Sequence, residues 1–398
     1  MGERAVNASV DLGNTEGATP PRKVPVTIVT GFLGAGKTTL LNYILTSSEH
    51  GKRIAVIENE FGDEKGIERL IARGPEGDKQ DLDNLFVELT NGCICCAVRD
   101  DLVVTLEGLL EKSDKFDYIM IETSGVADPG PLVGVFWLDH ELESRIYLDG
   151  IVTVIDAKNL VQHLDDPNKQ ETYVNEAQKQ IAYADRLLLN KQDLVSPSEM
   201  SNIQKRAVGI NPFAKIMPTT NSKVDLDFIL NVRGYENIEN HRASVTFQQD
   251  LLQLETSSAL FEHSHSHSHS HAEEGCTTCS DEAQPRHDPS VRSVVVRVPE
   301  AIDLKRLEAW IGQLLWERAT ITETMNIFRI KGIVRAADSD AVHLIQGVHE
   351  TFEVEPSSEK WGSPGWETPG NRIVFIGRSV DLEILENGIK SCIPAPST

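Results

Sequence analysis

The octapeptide Gly31-Phe32-Leu33-Gly34-Ala35-Gly36-Lys37-Thr38 constrains this chain more than any other feature. It fits the pattern G-x-x-x-x-G-K-[ST], follows the β-branched run Val26–Thr30 and precedes the helical pattern Thr38–Thr46. A strand, a glycine loop and a helix in that order form a phosphate cradle. Backbone N–H groups of Gly31, Gly34, Ala35 and Gly36 curve around an anion, and the positive end of the helix dipole adds to them. Lys37 reaches the β- and γ-phosphates, the Thr38 hydroxyl is a Mg²⁺ ligand, and Thr39 extends the set.

The segments that follow alternate in type. Buried-strand candidates are Arg53–Glu58, Tyr118–Glu122, Gly150–Asp156 and Arg186–Asn190, separated by helix-length stretches such as Asp101–Lys112 and Val174–Ala184. This alternation predicts an α/β domain built on the P-loop, whose sheet is mostly parallel with helices on both faces. Tyr118–Glu122 is an apolar strand that ends in a carboxylate, so Glu122 is the candidate for orienting Mg²⁺ or its water shell, and Gly125 brings a backbone N–H near the γ-phosphate. Lys37, Thr38 and Glu122 are the candidate catalytic groups. Asn190-Lys191-Gln192-Asp193 follows the strand at Leu187–Leu189 and has the N-K-x-D form. The Asp193 carboxylate accepts from the guanine N1–H and exocyclic amine together, a donor pair that adenine lacks, so GTP is the expected nucleotide.

Cys93, Cys95 and Cys96 stand within four positions. Three thiolates so close favour Zn²⁺ or Cu⁺ over Mg²⁺ or Ca²⁺; three small buried side chains or a redox pair are the plainer alternatives. Three is one ligand short of a closed tetrahedral site. The open position suits an ion held for release, with a client's ligand completing the set.

A low-complexity stretch divides the chain. The expected organisation is a disordered arm over 1–24, the P-loop domain over 25–240, a His/Cys-rich linker over 241–290 and a smaller α+β domain over 291–398. In the linker, His263, His265, His267, His269 and His271 alternate with serine, and Cys276 and Cys279 follow, a composition that collects divalent metal weakly or is simply solvated. Beyond it the patterns read as strand Ser293–Val298, helix Asp303–Arg318, strands Ile327–Val334, Ala341–Val348, Thr351–Glu355 and Arg372–Ile376, and a last helix Asp381–Ser391. Helices should cover one face of an antiparallel sheet, with Trp310 and Trp316 in its core. His343, His349 and Cys392 read as core or surface residues, not ligands.

Charge excludes some partners. With 61 acidic against 38 basic residues the formal charge is −23, which repels phosphate backbones and anionic lipid. Neither nucleic acid nor membrane is expected as a partner. No apolar run reaches the ~18–20 residues that span a bilayer, and no signal-peptide order precedes the glycine loop. The cytoplasm is the expected location, with the nucleus as a second compartment.

Taken together, the chain resembles the CobW family of metallochaperone GTPases, most closely its eukaryotic zinc-regulated GTPase metalloprotein activators. The resemblance rests on Gly31–Thr39, Glu58-Asn59-Glu60-Phe61-Gly62, the Cys93–Cys96 motif, Glu122–Gly125 with Ala127-Asp128-Pro129, Asn190–Asp193, and Gln346-Gly347-Val348-His349-Glu350. It implies that Glu58–Gly62 belongs to a nucleotide-responsive switch, that Cys93, Cys95 and Cys96 bind Zn²⁺, and that GTP hydrolysis accompanies transfer of the metal to a client metalloprotein, methionine aminopeptidase among them. The Cys-Pro-Glu client-docking motif of animal members is absent from Met1–Val24. A passive zinc store, a regulatory GTPase with a structural zinc, and a cobalt chaperone for cobalamin assembly are the alternatives compatible with the same motifs.

Overall fold

A computed structural model of the chain describes residues 23–58, 86–88, 97–125, 128–138, 140–165, 175–235, 291–317, 321 and 324–395. The arm, the cysteine motif, the switch segment beyond Glu58, Ala127 and the His/Cys-rich stretch lie outside these described residues.

The first unit runs β1 (Val24–Thr30), α1 (Lys37–Thr46), β2 (Ile54–Glu58), β3 (Phe86–Glu88), α2 (Ala97–Leu110), β4 (Tyr118–Glu122), then the short helices α3 (Gly130–Val133), α4 (Val135–Leu138) and α5 (His140–Arg145). It continues through β5 (Ile146–Asp156), α6 (Leu160–Leu164), α7 (Glu176–Tyr183), β6 (Arg186–Asn190), α8 (Pro197–Ile210) and β7 (Lys215–Pro218). The seven strands form one sheet in the order β3-β2-β4-β1-β5-β6-β7, and every neighbouring pair is parallel. Alternate residues of each strand feed two cores. Ile28, Ile57, Ile121 and Leu189 point to the side of α2, α7 and α8, while Val29, Val56, Met120 and Leu188 point to α1. Both faces are therefore apolar, as a parallel sheet flanked by helices requires.

The second unit comprises β8 (Val291–Val298), α9 (Leu304–Trp316), β9 (Asn326–Arg335), β10 (Ala341–Val348), β11 (Thr351–Lys360), β12 (Asn371–Arg378) and α10 (Leu382–Ser391). Its five strands are antiparallel in the order β11-β10-β9-β12-β8. Asp303 and Asp381 cap α9 and α10 by accepting first-turn backbone N–H groups, and both helices pack on one face through Leu307, Ile311, Leu315, Leu385 and Ile389. Phe328, Ile333, Leu344 and Val374, on the other face, join the same apolar cluster as Ile181 of α7 and Ile203 of α8. Helices α7 and α8 thus lie between the two sheets.

That arrangement buries a charge. Arg329 of β9 is 1% exposed and meets the Asp185 carboxylate, itself 5% exposed; its Nη1 also donates to the Tyr183 carbonyl at 2.7 Å and the Ala184 carbonyl at 3.1 Å. At the same amino-terminal edge of the parallel sheet Asp149 accepts from Tyr118 Oη (2.5 Å), Val232 N (2.8 Å) and Arg233 N (2.9 Å), which ties the segment after β7 to the starts of β4 and β5.

Several elements differ from their sequence patterns. The patterns did not single out β3, β7, α8 or the helices α3 to α6. Strand β11 runs on to Lys360, five residues past the expected end, because as an edge strand it tolerates Pro356. Trp310 packs edge-on against Phe375, but Trp316 is 64% exposed, contrary to expectation. It ends α9, where its Nε1 donates to the Glu350 carbonyl at 2.8 Å and its ring leans on Phe352. Among the described residues, no helix is long and apolar enough to cross a membrane.

Removing one partner of the Arg329–Asp185 pair strands the other in an apolar setting, so Arg329→Met should cost about 3–5 kcal/mol in urea unfolding, and the double variant with Asp185→Asn less than the sum of the singles. Burial pushes the Asp185 carboxyl up, but the charges of Arg329 and Lys331 outweigh it and hold it below its ordinary value. A carboxyl depressed in the folded state stabilises fully above its unfolded pKa of about 3.9 and loses that contribution as pH falls toward the folded value. The stability gap between the unsubstituted chain and Asp185→Asn should therefore be wide at neutral pH and shrink below about pH 4.

Candidate functional site

The glycine loop joins β1 to α1 at the carboxyl edge of the parallel sheet, where crevices open in sheets of this type. Gly31 (φ 140°) and Gly36 (φ 111°) hold backbone geometries that side chains rarely adopt, and a Cβ on Gly31 would fall 2.1 Å from the Val154 carbonyl oxygen. A Cβ on Gly36 would fall 2.4 Å from Asn190 Nδ2 and 2.8 Å from Ser222 Oγ. Helix α1 starts at Gly36 with no side-chain cap, whereas Asn175 caps α7 and Ser196 closes a capping box with Glu199 on α8. An uncapped helix start is open to an anion at the end where the dipole favours one.

Lys37 is 6% exposed and its Nζ donates to the Gly31 carbonyl (2.8 Å) and the Phe32 carbonyl (3.3 Å), so the ammonium lies against the loop it serves. Thr38 Oγ1 donates to Glu122 Oε1 at 3.4 Å, which brings the two oxygens expected to face Mg²⁺ together from α1 and the end of β4. A hydroxyl and a carboxylate are hard oxygen donors, and with a lysine and a glycine cradle beside them the residues present fit a magnesium–nucleotide group. Thr39 is exposed on the first turn of α1, as is Gly34 in the loop. Ala35 is buried, and its N–H is held by the Phe32 carbonyl at 3.1 Å.

The end of the site expected to take the base is built around Asn190. This side chain is 2% exposed; its Nδ2 donates to the Ala35 carbonyl (2.8 Å), and its Oδ1 accepts from Ser222 N (2.8 Å) and Thr219 Oγ1 (3.2 Å). Ser222 Oγ in turn donates to the Gly36 carbonyl at 2.9 Å. The turn after β6, the turn after β7 and the phosphate loop are therefore one bonded unit. Lys191 sits in the left-handed region (φ 62°) with Nζ 2.7 Å from Asp156 Oδ2, and Asp193 is exposed on the single turn Gln192–Leu194. Burial works against ionisation of Asp156, yet its bonds from Lys191 and Asn159 prevail and hold the carboxyl below its usual range.

Past Glu122 the chain is gripped by α7. Gln180 Nε2 donates to the Gly125 carbonyl (3.2 Å), Lys179 Nζ pairs with Asp128 (2.8 Å), and a Cβ on Gly130 would meet Tyr183 Oη at 2.7 Å and His349 Cδ2 at 2.5 Å. Gly125 also abuts the loop, since a Cβ there would fall 2.5 Å from Leu33 N.

All the expected nucleotide residues gather at one edge, and five helpers were not among them: Thr219, Ser222, Asp156, Lys179 and Gln180. The polar run Thr219-Thr220-Asn221-Ser222 directly after β7 was the available signal for the first two; nothing in sequence pointed to the others. Cys93, Cys95 and Cys96 lie between β3 and α2, outside the described residues. The register nevertheless sets Glu88 beside Glu58 and Glu58 beside Glu122, so three acidic positions line up across the ends of β3, which leads to the cysteine motif, β2, and β4, which neighbours the strand leading to the phosphate loop. His343 is buried with Nδ1 3.1 Å from the Ala341 carbonyl, and Cys392 is buried with Sγ 3.3 Å from the Gly388 carbonyl.

Gly36→Ala combines a strained backbone with displacement of Asn190 and Ser222, and should lower stability by about 2 kcal/mol or more in denaturant titration. Gly51 shares the positive φ (58°) but has nothing within 4 Å, so Gly51→Ala should cost only about 1 kcal/mol.

Comparison with known proteins agrees with this geometry. Residues 25–218 match the CobW/HypB/UreG nucleotide-binding domain, and residues 291–393 match the cobalamin synthesis protein CobW C-terminal domain. The zinc-regulated GTPase metalloprotein activator 1 of Schizosaccharomyces pombe is 37% identical over 372 residues, which cover 90% of this chain and 83% of that protein. The zinc chaperone YjiA of Escherichia coli is 32% identical over 362 residues, covering 89% of this chain and 94% of that one. A crystal structure of Zn(II)-bound YjiA GTPase superposes with a TM-score of 0.63 at 27% identity, over 94% of this chain and all of that one. Similarity that runs through both sheets, and not through the phosphate-binding half alone, makes this chain a member of the CobW/HypB/UreG family of P-loop GTPases.

Proposed function

We propose that this chain is a zinc chaperone that couples binding and hydrolysis of GTP to transfer of Zn²⁺ to a client metalloprotein, with methionine aminopeptidase the client the family resemblance suggests. Its working parts are a GTPase unit over 25–240 and a second unit over 291–398, joined by the His/Cys-rich stretch 241–290. The N–H groups of Gly34 to Thr39 and the Lys37 ammonium hold the phosphates. Asn190 keeps the base turn in register with the loop, and Asp193 reads the guanine edge. Thr38 and Glu122 would hold Mg²⁺, which neutralises phosphate charge when bound. Cys93, Cys95 and Cys96 hold the Zn²⁺ cargo and leave one position for a client's ligand.

The observation that carries the coupling is the register Glu88–Glu58–Glu122 across β3, β2 and β4. The chain leaves β3 toward the cysteine motif and leaves β2 at Glu58, and β2 lies between β3 and β4 in the sheet. A rearrangement around the γ-phosphate therefore acts on neighbouring strand ends. The similarity to proteins named as zinc chaperones and zinc-regulated GTPases supports zinc over cobalt.

Asp193→Asn replaces two acceptors with one acceptor and one donor, so GTP affinity should fall and xanthosine triphosphate affinity rise, read by competition against a fluorescent guanine nucleotide. Unchanged preference for GTP would remove the guanine assignment. Zinc affinity should differ between the GDP and GTP-analogue states by about 5- to 150-fold, and zinc must change GTP affinity by the same factor. Chelator competition with Zn²⁺, and with Co²⁺ in parallel, measures this. Cys95→Ser with Cys96→Ser should erase the effect on GTP affinity, and equal zinc affinities in all nucleotide states would leave a passive store.

A further inference from the structure

The ion pair between Lys191 and Asp156 lies at the nucleotide edge but has been given no role of its own. Lys191 Nζ stands 2.7 Å from Asp156 Oδ2, with the Asp156 side chain 7% exposed and the Lys191 side chain 34%. Asp156 ends β5 in register with Asn190 at the end of β6, and Ala157 N donates to the Asn190 carbonyl at 2.9 Å, so the pair bridges two adjacent strand ends. The carboxylate is itself immobilised: Oδ1 accepts from Lys158 N (3.0 Å) and Oδ2 from Asn159 Nδ2 (2.8 Å). The Lys191 backbone is equally constrained, its left-handed conformation fixed by Gln192 N to the Thr219 carbonyl (3.1 Å) and Leu194 N to its own carbonyl (3.0 Å).

A free lysine carries about 2 kcal/mol of rotamer entropy. Here both ends are tied, and the four-methylene stem becomes a fixed apolar bar at the edge of the sheet that carries the phosphate loop. A flat purine ring needs such a surface, and Asp193 follows two residues later for the polar edge of the ring. Without Asp156 the stem would have to be ordered by the nucleotide itself, at a loss of affinity.

We propose that Asp156 is a positioning residue for the guanine base, acting through Lys191: it pre-orders the lysine stem against which the ring lies. The inference deepens the guanine reading of Asn190–Asp193 and rests on it.

Asp156→Asn tests it. The amide keeps one oxygen for Lys158 N and exchanges the other for an NH₂ to which neither Lys191 nor Asn159 can donate, so the backbone bond of the turn is kept while the ion pair and the bond from Asn159 are lost. GDP and GTP affinities, measured by fluorescent-nucleotide titration on the full chain, should fall about 2- to 12-fold, the cost of ordering one rotamer-rich side chain on binding. Tripolyphosphate, which competes at the phosphate loop without a base, should bind as it does to the unsubstituted chain. Asp156→Glu, which keeps the charge, should recover part of the nucleotide affinity. In a Lys191→Met background, Asp156→Asn should add nothing further. An unchanged GDP affinity, an equal loss for tripolyphosphate, or a full loss persisting beside Lys191→Met would each overturn the proposal. Preference of the unsubstituted chain for ATP over GTP would instead overturn the guanine reading itself, and is seen before any variant is made.

Discussion

Placing a guanidinium where water cannot reach it commits the surrounding structure. Arg329 is almost fully enclosed between β9 and the carboxyl end of α7, and a charge so placed persists only if its donors are met. Its two terminal nitrogens are met by the Asp185 carboxylate and by the carbonyls of Tyr183 and Ala184, all on the connection from α7 to β6. The second sheet can dock only where that connection presents these acceptors in the right order. Asp185 is meanwhile held from the first sheet, because its other oxygen accepts from Ile151 N of β5 at 2.9 Å. One carboxylate thus references both sheets, and α7 is fixed between them.

With α7 fixed, the loop beyond Glu122 is fixed as well. Lys179 and Gln180 on one turn of α7 and Tyr183 on the next meet the loop at Asp128, Gly125 and Gly130 respectively. The same Gly130 touches His349, whose positive φ (56°) belongs to the hairpin between β10 and β11. A displacement at Gly125, where a γ-phosphate would contact the backbone, therefore has a short, packed route to the second sheet. Interlocked side chains of this kind move between discrete arrangements more readily than they deform.

The nucleotide end obeys a similar economy of buried polar groups. Asn190 has one acceptor and one amide donor turned inward, and both are satisfied by elements distant in sequence. This explains why asparagine stands there: aspartate could not donate to the Ala35 carbonyl, and a shorter side chain could not reach it. Ser222 supplies the same loop with a second link through the Gly36 carbonyl. The phosphate and base ends are one object, not two sites that happen to be near.

What the sequence by itself determined was local. Strand β1, the glycine loop, helix α1, the carboxylate ending β4 and the N-K-x-D turn after β6 each rest on neighbours within a few residues, where period-two burial, φ requirements and helix-start chemistry are written in the residue order. The alternation of strands and helices was legible for the same reason, and so was the antiparallel second unit. What only the tertiary structure decided was which distant groups meet. Ser222, Asp156 and Gln180 are ordinary polar residues in isolation, and become parts of the site because strands separated by tens of residues lie side by side at one sheet edge. The exposure of Trp316 is of the same kind, since it turns on an acceptor at Glu350 that β10 and β11 bring under the end of α9. Hydrophobic periodicity reports that a face is buried, but it carries no information about what is buried against it; that depends on long-range packing, and packing is a property of the whole chain.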